Sequence, residues 1–384
     1  MDPRDSGATD RVASPLELFF DLVFVVAVSV ASESLHALET GPDPGGGVVA
    51  YLLVFFAIWW AWMNFTWFAS AFATDDWLYR VTTIVQMGGA LILAAGAQRA
   101  MADMDFEIVV KGYVLMRAAM VAQWLRAALS APEYRRVALY QAAGIAAVQV
   151  AWVSRMELGP QRWSVPLFLA LAAAEASIPF LAQLRVHIPW HPHHIAERYS
   201  LFTLIVLGES ILASTNALID ATHGAGRLGP LLAIAACGLV LAAGMWWIYF
   251  SREQHRHLEG MRSSFVFGYF HYAIFAAAGA FSSGIEVMID VADGTSALSP
   301  AAGAAAVTVP VALFILGIWG LTIRQTLGPG ANAALAAGAV AVGLSPWARA
   351  GLYPAAAGVA GIVLVVEVSD ARRRRAGAGP MAGG

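Results

Sequence analysis

Residues 14–38 read SPLELFFDLVFVVAVSVASESLHAL, an apolar run long enough to cross a bilayer with two carboxylates, Glu17 and Asp21, near its start. Pro15 suits the first position of a helix, and Ser14 followed three residues later by Glu17 forms a capping-box pattern, so a helix is expected to begin here. Glu17 and Asp21 stand four apart, which places both on one face, one turn above the other. An ionised Asp costs roughly 2.5–3.5 kcal/mol at the centre of a membrane helix and less toward its end. That face is therefore expected to meet protein, water or an ion instead of lipid.

The rest of the chain is of the same kind. Its 384 residues are 59% hydrophobic and only 13% charged, against about 25% charged in a soluble domain, and the mean hydropathy is +0.65. These values point to an integral membrane protein. Lys111 is the single lysine among 23 basic residues, and with the abundance of Ala and Gly this suggests a GC-rich bacterial genome. Cys237 is the single cysteine, so neither an internal disulfide nor a cysteine-based metal cluster can form. The first apolar run is too long for the h-region of a cleaved signal, and the first helix is expected to stay.

With about 20 residues per span as the criterion, apolar segments fall near 15–38, 48–71, 77–98, 106–129, 134–154, 163–183, 194–219, 228–250, 262–289, 301–325, 331–346 and 348–369. The expected fold is an all-α, polytopic transmembrane helix bundle of twelve spans, or ten if the last two segments form a re-entrant hairpin. Residues 1–13 and 370–384 read as disordered tails around a membrane domain at 14–369. On one side of the twelve-span arrangement lie Arg4, Arg11, Arg80, Arg126, Arg135, Arg136, Arg185, Arg198, Arg252, Arg256, Arg262, Arg324 and Arg372 to Arg375. On the other lie Arg99, Lys111, Arg155, Arg162, Arg227 and Arg349, while Arg117 falls inside the fourth span. This asymmetry predicts a bacterial inner-membrane protein with both termini cytoplasmic. The Arg372–Arg375 run reads as a contact for anionic lipid, not for nucleic acid.

Two six-helix halves, 14–190 and 191–369, are suggested by paired features. Trp59-Trp60-Ala61-Trp62 in the second span is matched by Trp246-Trp247-Ile248-Tyr249 in the eighth, and each follows a span bearing a Glu near its start and a Glu-Ser pair further on.

The second informative stretch is 191–214, HPHHIAERYSLFTLIVLGESILAS. His194, Glu197 and Arg198 are spaced to form a charged cluster at the start of the seventh span. Glu209 lies roughly 18 Å further along at 1.5 Å per residue, beside Gly208, which would admit a neighbouring helix. Together, SPLELFFDLVFV and HHIAERYSLFTLIVLGESIL resemble the bacterial low temperature requirement protein A family. The resemblance extends to the WWAW patch, Asp75-Asp76 with Arg80, and WWIYF at 246–250, and covers most of residues 14–290. Tyr199-Ser200 departs from the family pattern, which more often reads aromatic-Gly. The resemblance implies a polytopic bacterial membrane protein linked by name to growth in the cold, and it brings no established activity. A more distant similarity is to lysosomal and bacterial potassium channels with an Arg-x-x-x-Phe-Ser-Asp motif in the first helix. Leu18-Phe19-Phe20-Asp21 resembles that motif in shape, but the upstream basic residue is absent, Glu17 standing four positions before Asp21, and the seventh span lacks the motif.

The polar residues have two readings each. Glu17 and Asp21 are expected to meet Arg80 or Arg198, with His194 and Glu197 nearby, as structural glue or as an ion or solute gate. Arg117, roughly 16 Å into its span, and Glu175, roughly 18 Å into its own, have similar depths that suggest a buried salt bridge. Glu209 has no obvious partner in its own helix and would be protonatable or paired with Arg117. His271 is a packing histidine or a proton relay to Glu209. Asp75 and Asp76 read as solvated loop acids, and the Trp clusters as packing or interfacial residues. His193 and Glu197 are spaced as two metal ligands on one helix face would be, but Pro192 interrupts the histidine run, and no metal or cofactor is expected. No Gly-x-Ser-x-Gly, His-Glu-x-x-His, Walker loop or dinucleotide fingerprint occurs. The expected activity is movement of a small solute or ion across the lipid bilayer by intramembrane carboxylates, without nucleic acid. The alternatives are a membrane enzyme acting on a lipid or isoprenoid, and a non-catalytic scaffold. The oligomeric state is left open.

Overall fold

The computed structural model describes residues 2–3, 12–157, 165–184, 188, 190–223, 228–258, 260–348 and 351–377. Twelve long helices are joined in order: α1 (Pro15–Glu39), α2 (Pro44–Ala71), α3 (Trp77–Asp103), α4 (Glu107–Ser130), α5 (Arg135–Glu157), α6 (Val165–Ala182), α7 (Pro192–His223), α8 (Leu228–Phe250), α9 (Met261–Asp293), α10 (Pro300–Ile318), α11 (Pro329–Leu344) and α12 (Tyr353–Gly377). Eleven of them are long and apolar enough to cross a membrane. The twelfth, α7, carries Glu197, Arg198 and Glu209 yet has 32 residues, ample length for a crossing. Both α11, extended by a 3₁₀ turn at Ser345–Ala348, and α12 are among the eleven helices long and apolar enough to cross a membrane.

Helix starts follow the local chemistry. Ser14 caps α1 through the reciprocal box with Glu17, and Asp43, Asp76 and Ser299 cap α2, α3 and α10 with Pro at the first turn of all but α3. The last turn of α10 widens into a π turn at Trp319–Ile323. Of the tails expected to be disordered, most of 1–13 and all of 378–384 lie outside the described residues. Asp2–Pro3 pairs antiparallel with Phe72–Ala73. Residues 370–377 are a correction, because α12 continues through the Arg run to Gly377. Basic side chains are favourable at a helix C-terminus, so the run extends the helix instead of ending it.

The chain divides into two compact units, residues 1–205 with 258–268, and residues 206–257 with 269–384. This boundary differs from the expected one at 190/191, because the first turns of α7 carry Arg198 and Tyr199, which bond to Asp21 of α1 and Trp67 of α2. In the first unit α2 is the central helix, with every residue from Ala57 to Ala71 buried, as expected of a helix that is apolar on all sides. α3 packs on α1 and α4, α4 on α5, and α5 on α6. The α3–α4 crossing is close, since a Cβ on Gly112 would lie 2.5 Å from the Gly89 carbonyl oxygen. On α1, Phe19, Leu22 and Val26 form an exposed apolar stripe suited to lipid, while Phe20, Asp21 and Phe24 face inward. In the second unit α8 packs on α10 and α12, and α11 lies against α10 and α12. Arg252, with two bonds of 2.6 and 2.9 Å to Asp370, ties the end of α8 to α12. The two Trp pairs occupy unlike surroundings: Trp59 and Trp60 are buried, whereas Trp246 and Trp247 are 44% and 45% exposed.

Candidate functional site

The capping box that starts α1 also aims its carboxylate inward. Glu17 accepts the Ser14 N–H at 2.7 Å with one oxygen, and its other oxygen lies 3.1 Å from His194 Nε2 and 3.6 Å from Arg198. One turn on, Asp21 accepts two bonds from the Arg198 guanidinium, at 3.1 Å from Nε and 2.5 Å from Nη2, and one from the Trp62 indole at 2.6 Å. Asp21, His194 and Arg198 are all 0% exposed. The bidentate fork suits a carboxylate held away from water. Glu197, half-buried, accepts the Ala13 N–H at 3.0 Å and fastens the segment before α1 to α7. Glu17, Asp21, His194, Glu197 and Arg198 are thus brought together by the starts of α1 and α7. Arg80, the other expected partner, is not part of the cluster. It is 58% exposed on the first turn of α3 and makes two 2.8 Å bonds to Asp75, a nearer and solvated carboxylate. Asp76 caps α3 and pairs with Arg126. The Arg80 and Arg126 bonds hold the carboxyls of Asp75 and Asp76 below the usual Asp range.

A second charged pair lies deeper in the same unit. Arg117, near the middle of α4, is 3.0 Å from Glu175 of α6, and both are buried. Glu175 accepts from Gln149 and from the Trp152 indole, each at 3.2 Å, and Asn64 Oδ1 accepts from Arg117 at 3.4 Å. Nη1 of Arg117 has no hydrogen-bond partner among the described residues.

Two small cavities lie toward opposite ends of these helices, each lined by a residue that bonds to the pair. One, of about 20 Å³, lies where α2, α4 and α6 end and α5 and α7 begin. Its walls are Met63, Asn64, Trp67 and Phe68 of α2, Trp124 of α4 and Gln141 of α5, with Pro179, Gln183 and Trp190 completing them. The other, of about 20 Å³, lies where α4 begins, α5 ends and α6 begins. It is lined by Phe56, Ala57, Phe106, Val109, Val110 and Phe168, with Tyr113 and Trp152 beside the ion pair. Helical spacing explains the alignment: Ala57 and Asn64 on α2, Val110, Arg117 and Trp124 on α4, and Phe168 and Glu175 on α6 are seven apart and share one face per helix. That spacing from Arg117 is the signal by which Trp124 was findable in the sequence, whereas Asn64 and Trp152 lie on other helices and carried no such signal.

In the second unit Glu209 is half-buried and has no hydrogen bond or ion pair among the described residues. The alternative pairing with Arg117 is corrected, because Arg117 is taken by Glu175. Gly208 is exposed and a Cβ there would meet nothing within 4 Å, so the expected close helix approach does not occur. His271 is buried with Nε2 3.1 Å from the Tyr249 hydroxyl, and no bond joins it to Glu209. No His, Cys, Asp and Glu cluster suited to a metal occurs among the described residues.

The sequence profile of the bacterial low temperature requirement A protein family matches residues 12–369. The chain is similar to an uncharacterized protein of Rhizobium meliloti (strain 1021), at 28% identity over 257 residues, or 65% of this chain and 61% of that protein. The similarity thus spans about three fifths of that relative's length. No solved structure matches the chain.

Proposed function

The chain belongs to the bacterial low temperature requirement A protein family, and we propose that it acts in the bacterial membrane as a transporter or channel for a small solute, with a path between α2, α4, α5 and α6. The observation that carries this reading is a buried Arg117–Glu175 pair with a small cavity toward each end of the helices, one lined by Asn64, which accepts from Arg117, and the other by Trp152, which donates to Glu175. Asn64 couples one cavity to the Arg, and Trp152 couples the other to the Glu. A pair so placed is a gate: when it is closed the guanidinium and carboxylate satisfy each other, and a passing solute must separate them or move them together. Breaking it without replacement partners leaves two buried charges, so the resting state is closed.

In this reading the Glu17, Asp21, His194 and Arg198 cluster is a fixed clasp, since its carboxylates are engaged by His194, Arg198 and Trp62. The basic-residue asymmetry puts both termini, and the Asn64 cavity, on the cytoplasmic side. Neither cavity is lined by a carboxylate or a histidine, which favours passage over acid–base chemistry on a lipid. The test is uptake by proteoliposomes of a panel of labelled small solutes, comparing wild type with Asn64→Leu and Gln183→Leu. We expect a solute taken up by wild type and slowed by both variants. Uptake equal to that of protein-free liposomes for every solute, or equal in wild type and both variants, refutes the proposal.

A further inference from the structure

Arg252 draws three helix ends together in the second unit. Its Nε donates to Thr326 Oγ1 at 2.7 Å, just past the π turn that ends α10, and its two Nη atoms donate to Asp370 of α12. These bonds commit Asp370, the carboxylate nearest in sequence to the arginines that follow it. Arg324 stands two residues before Thr326, and Arg372 to Arg375 begin two residues after Asp370. All five are exposed, and none has an ion pair among the described residues. Unpaired guanidinium groups gathered at one end of a bundle repel one another and attract an anion, and the guanidinium fork matches a phosphate.

The seam between α8 and α12 that leads to this end is apolar and open. Trp247 donates to Glu367 at 2.9 Å, a second tie between the two helices. At 1.5 Å per residue Trp247 lies roughly 7 Å short of Arg252 along α8, and Glu367 roughly 7 Å short of Arg372 along α12. Trp246 and Trp247 are exposed there, and so are Val368 and Leu364, one turn and two turns before Arg372. Exposed indoles beside a basic helix end suit the headgroup level of a bilayer, and the aliphatic positions further in suit acyl chains. A nucleic acid or a free phosphate would use the arginines and leave the seam bare, whereas an anionic amphiphile uses both.

We propose that this seam holds an anionic phospholipid, with its phosphate among Arg324 and Arg372 to Arg375, its glycerol region at Trp246 and Trp247, and its chains along Leu364 and Val368. This does not depend on the transport reading. The test reconstitutes the full chain in phosphatidylcholine with an equal fraction of brominated phosphatidylglycerol or brominated phosphatidylcholine. The quenching at the seam is the part lost in a Trp246→Phe, Trp247→Phe protein. The anionic lipid should occupy the seam at least fivefold in preference to the zwitterionic one. Changing Arg324 and Arg372 to Arg375 to Gln should bring that ratio below twofold. Arg135→Gln with Arg136→Gln, which removes exposed charge from the first unit, should leave it unchanged. If the five-Gln protein does not insert, salt on the wild type decides: at about 1 M, where the Debye length is about 3 Å, the ratio should fall below twofold. A wild-type ratio near one, a ratio undiminished by the Gln changes or by salt, or an equal loss in the Arg135, Arg136 protein overturns the proposal. A ratio near one with binding of a short RNA to the same vesicles overturns it in favour of nucleic acid.

Discussion

Replacing Arg198 by leucine should remove most of the clasp between α1 and α7. Arg198 supplies two of the three bonds that Asp21 accepts, the third coming from Trp62, and it also faces Glu17 at 3.6 Å. Without it Asp21 keeps one donor for a carboxylate that is 0% exposed, while Glu17 keeps His194 and the Ser14 N–H. Removing one partner of a buried pair costs about 3–5 kcal/mol, nearly all of it through the stranded charge. The stranded charge can itself be removed. Asp21→Leu with Arg198→Leu should therefore cost less than the sum of the single variants, by about 2 kcal/mol, within the range of directly interacting pairs. Arg198→Lys, which cannot form the fork, should fall between wild type and leucine. Equilibrium unfolding in mixed micelles, followed by tryptophan fluorescence, gives each value. An Arg198→Leu protein within about 1 kcal/mol of wild type, or strictly additive single variants, would refute the reasoning, since either result means that Asp21 is not held as a buried charge.

Four further outcomes are expected. Trp62→Phe keeps the ring packing but deletes the 2.6 Å bond to Asp21, and should cost about 1.5–3 kcal/mol in the same assay. Arg117→Met together with Glu175→Met should be more stable than either single variant and should raise solute leak through proteoliposomes; a tighter membrane than wild type would contradict the gate. Gly112→Ala should destabilise the α3–α4 crossing by about 1–3 kcal/mol through overpacking against the Gly89 carbonyl, as read by thermal melting. The depressed carboxyls of Asp75 and Asp76 stabilise the fold at and above the ordinary Asp titration range, and that contribution is lost as pH falls through their lower folded values. Hydrogen exchange at the Tyr79 amide, which Asp76 accepts, should accelerate as pH drops below about 4 relative to the intrinsic rate, and Asp76→Ala should abolish that excess.

Helix starts and lengths were legible because they depend on neighbours in the chain. The Ser14–Glu17 box forms as its spacing predicts, and α8 occupies the apolar segment expected at 228–250. The pairing of Arg117 with Glu175 was also legible, because a charge at mid-depth in a bilayer needs a partner at the same depth. Arg80 was misplaced because depth alone does not distinguish it from Arg198. Both lie near one end of their helices, but Arg80 stands five residues from Asp75 and is caught by it, while Arg198 faces α1. Asn64 and Gln183 carried no charge to draw attention, and they matter only because four helices bring them to one cavity.

By itself the stretch at 14–38 determined a capped helix with two carboxylates on one face, since capping and periodicity act over three or four residues of one chain. It could not determine what those carboxylates face. That was decided by the packing of α7 and α2 against α1, which supplies Arg198, His194 and Trp62 from residues 41 or more positions away. The solute path proposed above lies instead on the faces of α2, α4, α5 and α6, beside the Arg117–Glu175 pair. Charge demands a partner from local physics alone, but which partner arrives, and where space is left, depends on contacts distant in sequence.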